Sequence, residues 1–438
     1  MSISSRSAWA LAALALVFPP LVQAGKVKVW QQNKPAHHEK SQFKQVVISN
    51  EGALRLSRRV KPLSALDATH LWDLAEDKNG NLFVASGDGG KLWKISPDGK
   101  ATVLHASEDS QVLSLALASD GTLFAGTGPS GKILKIETGG QVKTIREVGG
   151  YVWALALDAR GEVLYAASGP KGKLWKLSRD GKGDVLFTSK QDHLLCLAVG
   201  ADGSVYAGSD KDGLVYRIDA RGKAFVLFQA PQSEIRTLKV LADGTLYAGT
   251  SAPSKRGTTS TVQTGESEPV AQAPSRKDTV SVNTRREGKT SLASNKSVDK
   301  DDKDNDKGKA APAPSIPSAG ENSLYRISKD GMAREVFRQK AMVLSLLPLQ
   351  GRLLVGTGMN GQLFEVDEKT REYTEIARLE HGQILSLLRR ADGTVVLGTG
   401  DPGKLYVLEE QFASSGTVVS EVFDAKMISR WGSIRWQG

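Results

Sequence analysis

The chain has 438 residues, 40% hydrophobic and only 6% aromatic, with 45 glycines, which allows one or two turn-rich domains with a sizeable core. Its formal net charge is +10 and it has one cysteine, so no internal disulfide can form and stability must rest on the core. Beyond the N-terminus no run stays apolar for ~18 residues, so the pattern predicts no transmembrane segment.

The first 24 residues read as a secretory signal peptide. Arg6 is the lone charge before the apolar run at 8–18, Pro19 and Pro20 end that run, and Val22, Gln23 and Ala24 form a small-residue cleavage site. Cleavage near Ala24 predicts a secreted protein, periplasmic or extracellular, and no Cys follows that could carry a lipid anchor. Residues 25–52 read as an N-terminal extension. It contains His37, His38 and Glu39, whose neighbouring side chains point opposite ways in an extended chain and so read as a polar linker instead of a metal site.

A turn dipeptide followed by an apolar strand then recurs seven times. The copies are Asn79-Gly80, Asp120-Gly121, Arg160-Gly161, Asp202-Gly203, Asp243-Gly244, Gln350-Gly351 and Asp392-Gly393. Their glycines are spaced by 41, 40, 42, 41, 107 and 42 residues. The second copy shows the grammar of all. An apolar run at 112–117 meets a turn at 119–121, a second strand fills 122–127, a second turn fills 128–131, an alternating strand fills 132–136, and a polar strand ends the unit at 141–148. Four antiparallel strands that grow more polar in order make a propeller blade, whose inner strand lies between neighbours and whose outer strand meets water. The reading is all-β: a seven-bladed β-propeller of four-stranded antiparallel blades over 53–423, with one long disordered insertion. The last repeat lacks an outer strand. Residues 53–57 or 417–423 are the candidates to supply it, so that the two termini lock the ring.

The insertion, 252–322, lies inside the fifth repeat, has no aromatic residue, and carries 12 Lys/Arg against 10 Asp/Glu. Such a segment buries too little apolar surface to offset its ordering entropy. Being nearly neutral, it is no nucleic-acid arm, and most of the +10 stays on the propeller, where no cluster stands out. Asp302, Asp304 and Asp306 alternate as in a calcium loop, but Lys307 and Ala313 hold the places that need a glycine and an acid. The tail, 424–438, contains Trp431 and Trp436, which are expected to pack on the disc or across a partner.

Gly126 to Lys132 has the look of a phosphate loop but joins two strands and opens no helix, so it reads as a hairpin. Cys196 aligns with Ser114, Ala154, Thr237, Ser345 and Ser386 in a tight slot of the inner strand, which suits a packing thiol and no nucleophile. The first residues of the inner strands vary: His70, Gln111, Tyr151, His193, Glu234, Met342 and Gln383. They predict a mostly polar ring at one mouth of the central channel, above a constant apolar layer of Leu71, Val112, Val152, Leu194, Ile235, Val343 and Ile384. Trp72, Trp153 and Arg236 stand two residues further in, and Asp73 replaces the usual small residue. Hydrogen-bonding groups beside aromatic faces suit a polar ligand such as a sugar.

The repeat D-G-T-L-[FY]-A-G-T-G-x-x-G-K-[IL], cleanest from Asp120 to Ile133, resembles bacterial secreted propellers of the WD40/YVTN-like, quinoprotein-like superfamily, and is similar to streptogramin-lyase-like propellers. The resemblance spans about 53–412 and implies the fold. The Trp-Asp and Gly-His pairs of true WD40 repeats are absent, as is the Trp-docking motif of quinoproteins, so no PQQ or other cofactor is implied. No paired His with a Glu stands at the spacing a streptogramin lyase would show. Val422 to Ala425, followed by Trp431, Gly432 and Trp436, looks like the junction after which a β-sandwich follows in some longer secreted propellers. The expected function is a monomeric, non-catalytic scaffold that binds a protein or glycan of the cell envelope at the channel mouth, on the face that carries the insertion. The alternative is a lyase or hydrolase using His70, His193 and Glu234.

Overall fold

The computed structural model describes residues 29–49, 51–251, 320–370, 372–380 and 382–424, with 432, 433 and 435. The N-terminal residues 1–28, the insertion from 252 to 319, and Trp431 and Trp436 lie outside the described residues. Seven four-stranded antiparallel sheets follow one another as blades. In blade 2, Gln111–Leu117 and Leu123–Gly128 are almost wholly buried, Lys132–Ile136 alternates, and Val142–Glu147 is half in water. This is the polarity gradient that a blade packed between neighbours requires. The loop from Gly126 to Lys132 is the hairpin between the second and third strands.

In blade 5, Leu246–Thr250 pairs directly with Asn322–Ile327, from Leu246 opposite Ile327 to Gly249 opposite Leu324. The insertion thus enters and leaves one hairpin without disturbing its register. Among the described residues no helix is long and apolar enough to cross a membrane.

The blades lock together through the second residue of each inner strand. Leu71, Val112, Val152, Leu194, Ile235, Val343 and Ile384 have no exposed surface. They press on small residues of the preceding blade: a Cβ added to Gly126 would lie 2.5 Å from Val152, and one added to Gly249 would lie 2.5 Å from Val343. The constant apolar layer below the mouth ring is thus the seam between the blades.

Ring closure follows the expected principle with a different segment. The outer strand of blade 7 is Arg58–Ser64, paired with Leu405–Phe412. Neither 53–57 nor 417–423 fills that place. Leu54–Leu56 instead forms a small hairpin with Val46–Ile48, and Thr417–Val419 pairs with Gln42–Lys44. The physical reason is that an outer strand needs only one apolar edge. Val60 packs into the blade 7 core and Leu63 into the blade 1 core, while Pro62 is tolerated because the outer strand has no further neighbour to bond.

The N-terminal extension also departs from the linker reading. Pro35–His38 forms a 3₁₀ turn that buries His38 to 3% exposure beside Phe43. Val46–Ile48 lies against the outer strand of blade 6, with Ser49 bridged to Thr374. Burial lowers the His38 pKa.

Candidate functional site: the channel mouth

Every inner strand carries the same irregularity. Between its second and fourth residues the register slips by one, in all seven blades. A bulge of this kind leaves one residue unpaired and re-aims it. The seven unpaired residues are Trp72, Leu113, Trp153, Leu195, Arg236, Leu344 and Leu385, and together they line a cavity of about 100 Å³ inside the mouth. Trp72, Trp153 and Arg236 were legible as residues of interest. The four leucines were not singled out, although their constant offset from the mouth ring was the available signal.

Outside this layer, the first residues of the strands build two aromatic clusters. In blade 1, His70 stacks on Trp72 at 5.0 Å with the planes 6° apart. Thr69 Oγ1 contacts His70 Nδ1 at 2.9 Å and donates to the Asp88 carboxylate. Across blades 3 and 4, Tyr151 stacks on Trp153 at 4.8 Å. The Trp153 indole N–H donates to His193 Nδ1 at 2.9 Å. An indole only donates, so His193 accepts at Nδ1 and carries its proton on Nε2. Trp153 also lies 5.7 Å below the Arg236 guanidinium.

The rings rest on bare backbone. Tyr151 and His193 lie over Gly128 and Gly169, where a Cβ would come within 2.4 and 2.0 Å of them. Glycine is needed here for this close approach. His70 lies over Gly400 in the same way, with Gln383 Oε1 beside it. Gln111 stands toward Trp72 as His193 stands toward Trp153, yet the buried Trp72 Nε1 has no partner among the described residues. Glu234 accepts from Ser251 Oγ at 2.7 Å, and Ser251 is the last residue before the insertion. Thr69, Asp88 and Ser251 were missed from the sequence, and nothing in the repeat pattern marks them.

Asp73 sits in the slot that holds a small residue in the other blades. There, Ser114, Cys196, Ser345 and Ser386 donate to the carbonyl of the next blade's buried apolar residue, at 3.2, 3.4, 2.9 and 3.1 Å. Cys196 is therefore a link in this belt, and burial pushes its thiol up to about 12. Asp73 reverses the polarity, accepting from its neighbour Leu74 N–H at 2.9 Å and from Leu115 N–H of blade 2 at 2.8 Å. Burial raises its pKa above the ordinary value, against the pull of these two donors and of Lys239.

Neither a family model nor a curated protein sequence matches the chain. Solved structures do match. A streptogramin B lyase aligns over 81% of this chain and 98% of its own, at TM-score 0.57 and 10% identity. Virginiamycin B lyase from Staphylococcus aureus aligns over 80% and 99%, at 0.57 and 12%. The WD40 propeller domain of Doa1 aligns over 81% and 98%, at 0.54 and 14%. The likeness is one of fold. At these identities it carries no residue roles across.

Proposed function

We propose that the chain is a secreted, non-catalytic binding propeller that takes a protein or glycan partner in the cell envelope on its channel-mouth face. The observation that carries this reading is how the mouth groups are used. His70 is tied to Thr69 and, through it, to Asp88; His193 is tied to Trp153; Glu234 is tied to Ser251. No hydrogen bond joins any two of the three. Each is held in a fixed orientation by its own blade or its neighbour, which suits an array of recognition points on a rigid ring. Secretion rests on the N-terminal 24 residues.

The competing reading, a lyase or hydrolase, has the three groups on one face in its favour. It needs them within hydrogen-bond reach of one substrate atom, and so needs the present partners given up. Capture from envelope extract by the mature chain, 25–438, beside a His70→Ala/His193→Ala/Glu234→Ala variant tests the proposal. A partner or glycan held by the wild type and lost by the variant is expected. Equal capture by both would move the binding face to the rim.

A further inference from the structure

The layer just inside the mouth is apolar in six blades and cationic in one. Four leucines and two tryptophans face Arg236 around the cavity. Among the described residues Arg236 forms no ion pair. Glu234, the acid that acts on it, is already bonded to Ser251, and burial outweighs Glu234 in lowering the arginine's pKa. A guanidinium stays charged despite that loss. Lys239, three residues further along the strand, adds a second positive charge that acts on both Asp73 and Cys196. The Asp73 carboxylate is occupied by two backbone N–H groups. A leucine would fit this position, as it does in four other blades, without the cost of desolvating a charge. A local choice that works against stability marks a functional site.

We propose that this cavity takes the carboxylate of a small acidic ligand, with Arg236 as its bidentate partner and the tryptophans and leucines against its apolar carbons. The inference rests on the mouth as the binding face and names the chemistry of what binds there. At about 100 Å³ the cavity has room for a carboxylate and a few carbons. A larger acid must therefore lie with its body in the mouth, between the His70 and Tyr151 clusters. Two sources share this chemistry: a sugar acid, which would use both levels, and a short-chain acid, which would sit in the cavity alone.

Calorimetric titration of the full-length mature protein with glucuronate, glucose and propionate at low salt separates them. Glucuronate is expected to bind at least about tenfold more tightly than glucose, the scale of a charge-assisted bidentate pair. Arg236→Leu should erase that preference, and without ligand it should melt at the same temperature as the wild type or higher. Binding of glucuronate but not propionate supports the sugar acid. Equal binding of both supports the short acid. Binding of neither acid would overturn the proposal, and so would glucuronate affinity unchanged in Arg236→Leu. The capture experiment reads separately. Capture lost in the mouth variant with no carboxylate binding would leave the mouth reading standing and remove this one. Capture retained, with Arg236-dependent carboxylate binding, would do the reverse.

Discussion

Gly356→Ala tests the packing that holds the ring closed. Gly356 lies opposite Ser345 in blade 6, and a Cβ there would come 2.2 Å from Ser345 Oγ and 2.7 Å from Ile384 of blade 7. Both neighbours are fixed, because Ser345 donates to the Ile384 carbonyl at 2.9 Å. Overpacking of this kind costs about 1–3 kcal/mol. Six of the seven pairs around the ring show a size rule. Glycine stands opposite Ser114, Cys196, Thr237, Ser345 and Ser386, and alanine opposite Ala154. Blade 1 is the exception: Asp73 stands opposite Ala85 and turns its carboxylate to the N–H groups of Leu74 and Leu115. Ser345→Ala alone should cost about 0.5–1.5 kcal/mol for its lost hydrogen bond. In the double variant the alanine pair of blade 3 is recreated, so the two losses should fall short of additive by about 1 kcal/mol or more. Urea unfolding of the four proteins measures the cycle. Strict additivity, or a Gly356→Ala variant as stable as the wild type, would refute the size rule.

Three further outcomes are expected. Val60→Ala/Leu63→Ala, in the closing strand, should lose about 2–4 kcal/mol in urea unfolding, since each half-buried side chain forfeits part of the cost of a full cavity; no loss would deny that this strand closes the ring. The stability of the wild type relative to Asp73→Asn should fall as pH rises from acid to neutral, while the Asn amide, which can accept from only one of the Leu74 and Leu115 N–H groups, adds an offset that does not change with pH. A carboxyl whose folded pKa is raised gives stability that is full below its unfolded value, near 3.8, and is lost as pH rises through the folded value; melting curves from acid to neutral pH that stay parallel would contradict this. Cys196, buried with its thiol pushed up to about 12, should resist thiol reagents at pH 8 until the chain is unfolded, and rapid labelling of the native protein would show the belt to be open.

The repeat made the blades legible because each glycine turn and each strand polarity is set locally. The bulge was not legible. A one-residue slip re-aims the side chains around it, so Trp72, Trp153 and Arg236 stood out by residue type while Leu113, Leu195, Leu344 and Leu385, in the same unpaired position, did not. A single strand read alone cannot reveal a slip that exists only against its partner. Arg58–Ser64 was missed for a related reason: two arginines, a lysine and a proline hide Val60 and Leu63, which suffice for an edge strand. The mouth residues were found by their variability within a constant frame. Their partners, Thr69, Asp88 and Ser251, come from loops whose contacts arise only once the blades are side by side.

The central claim is that the mouth face binds. Hydrogen–deuterium exchange of the mature chain, alone and with the material it captures, tests this most directly. Slowed exchange is expected at the first residues of the inner strands and in the hairpins between second and third strands, around Asp88 and Ser251. Slowing confined to the outer strands, or to the opposite turns around Gly80 and Gly121, would contradict it.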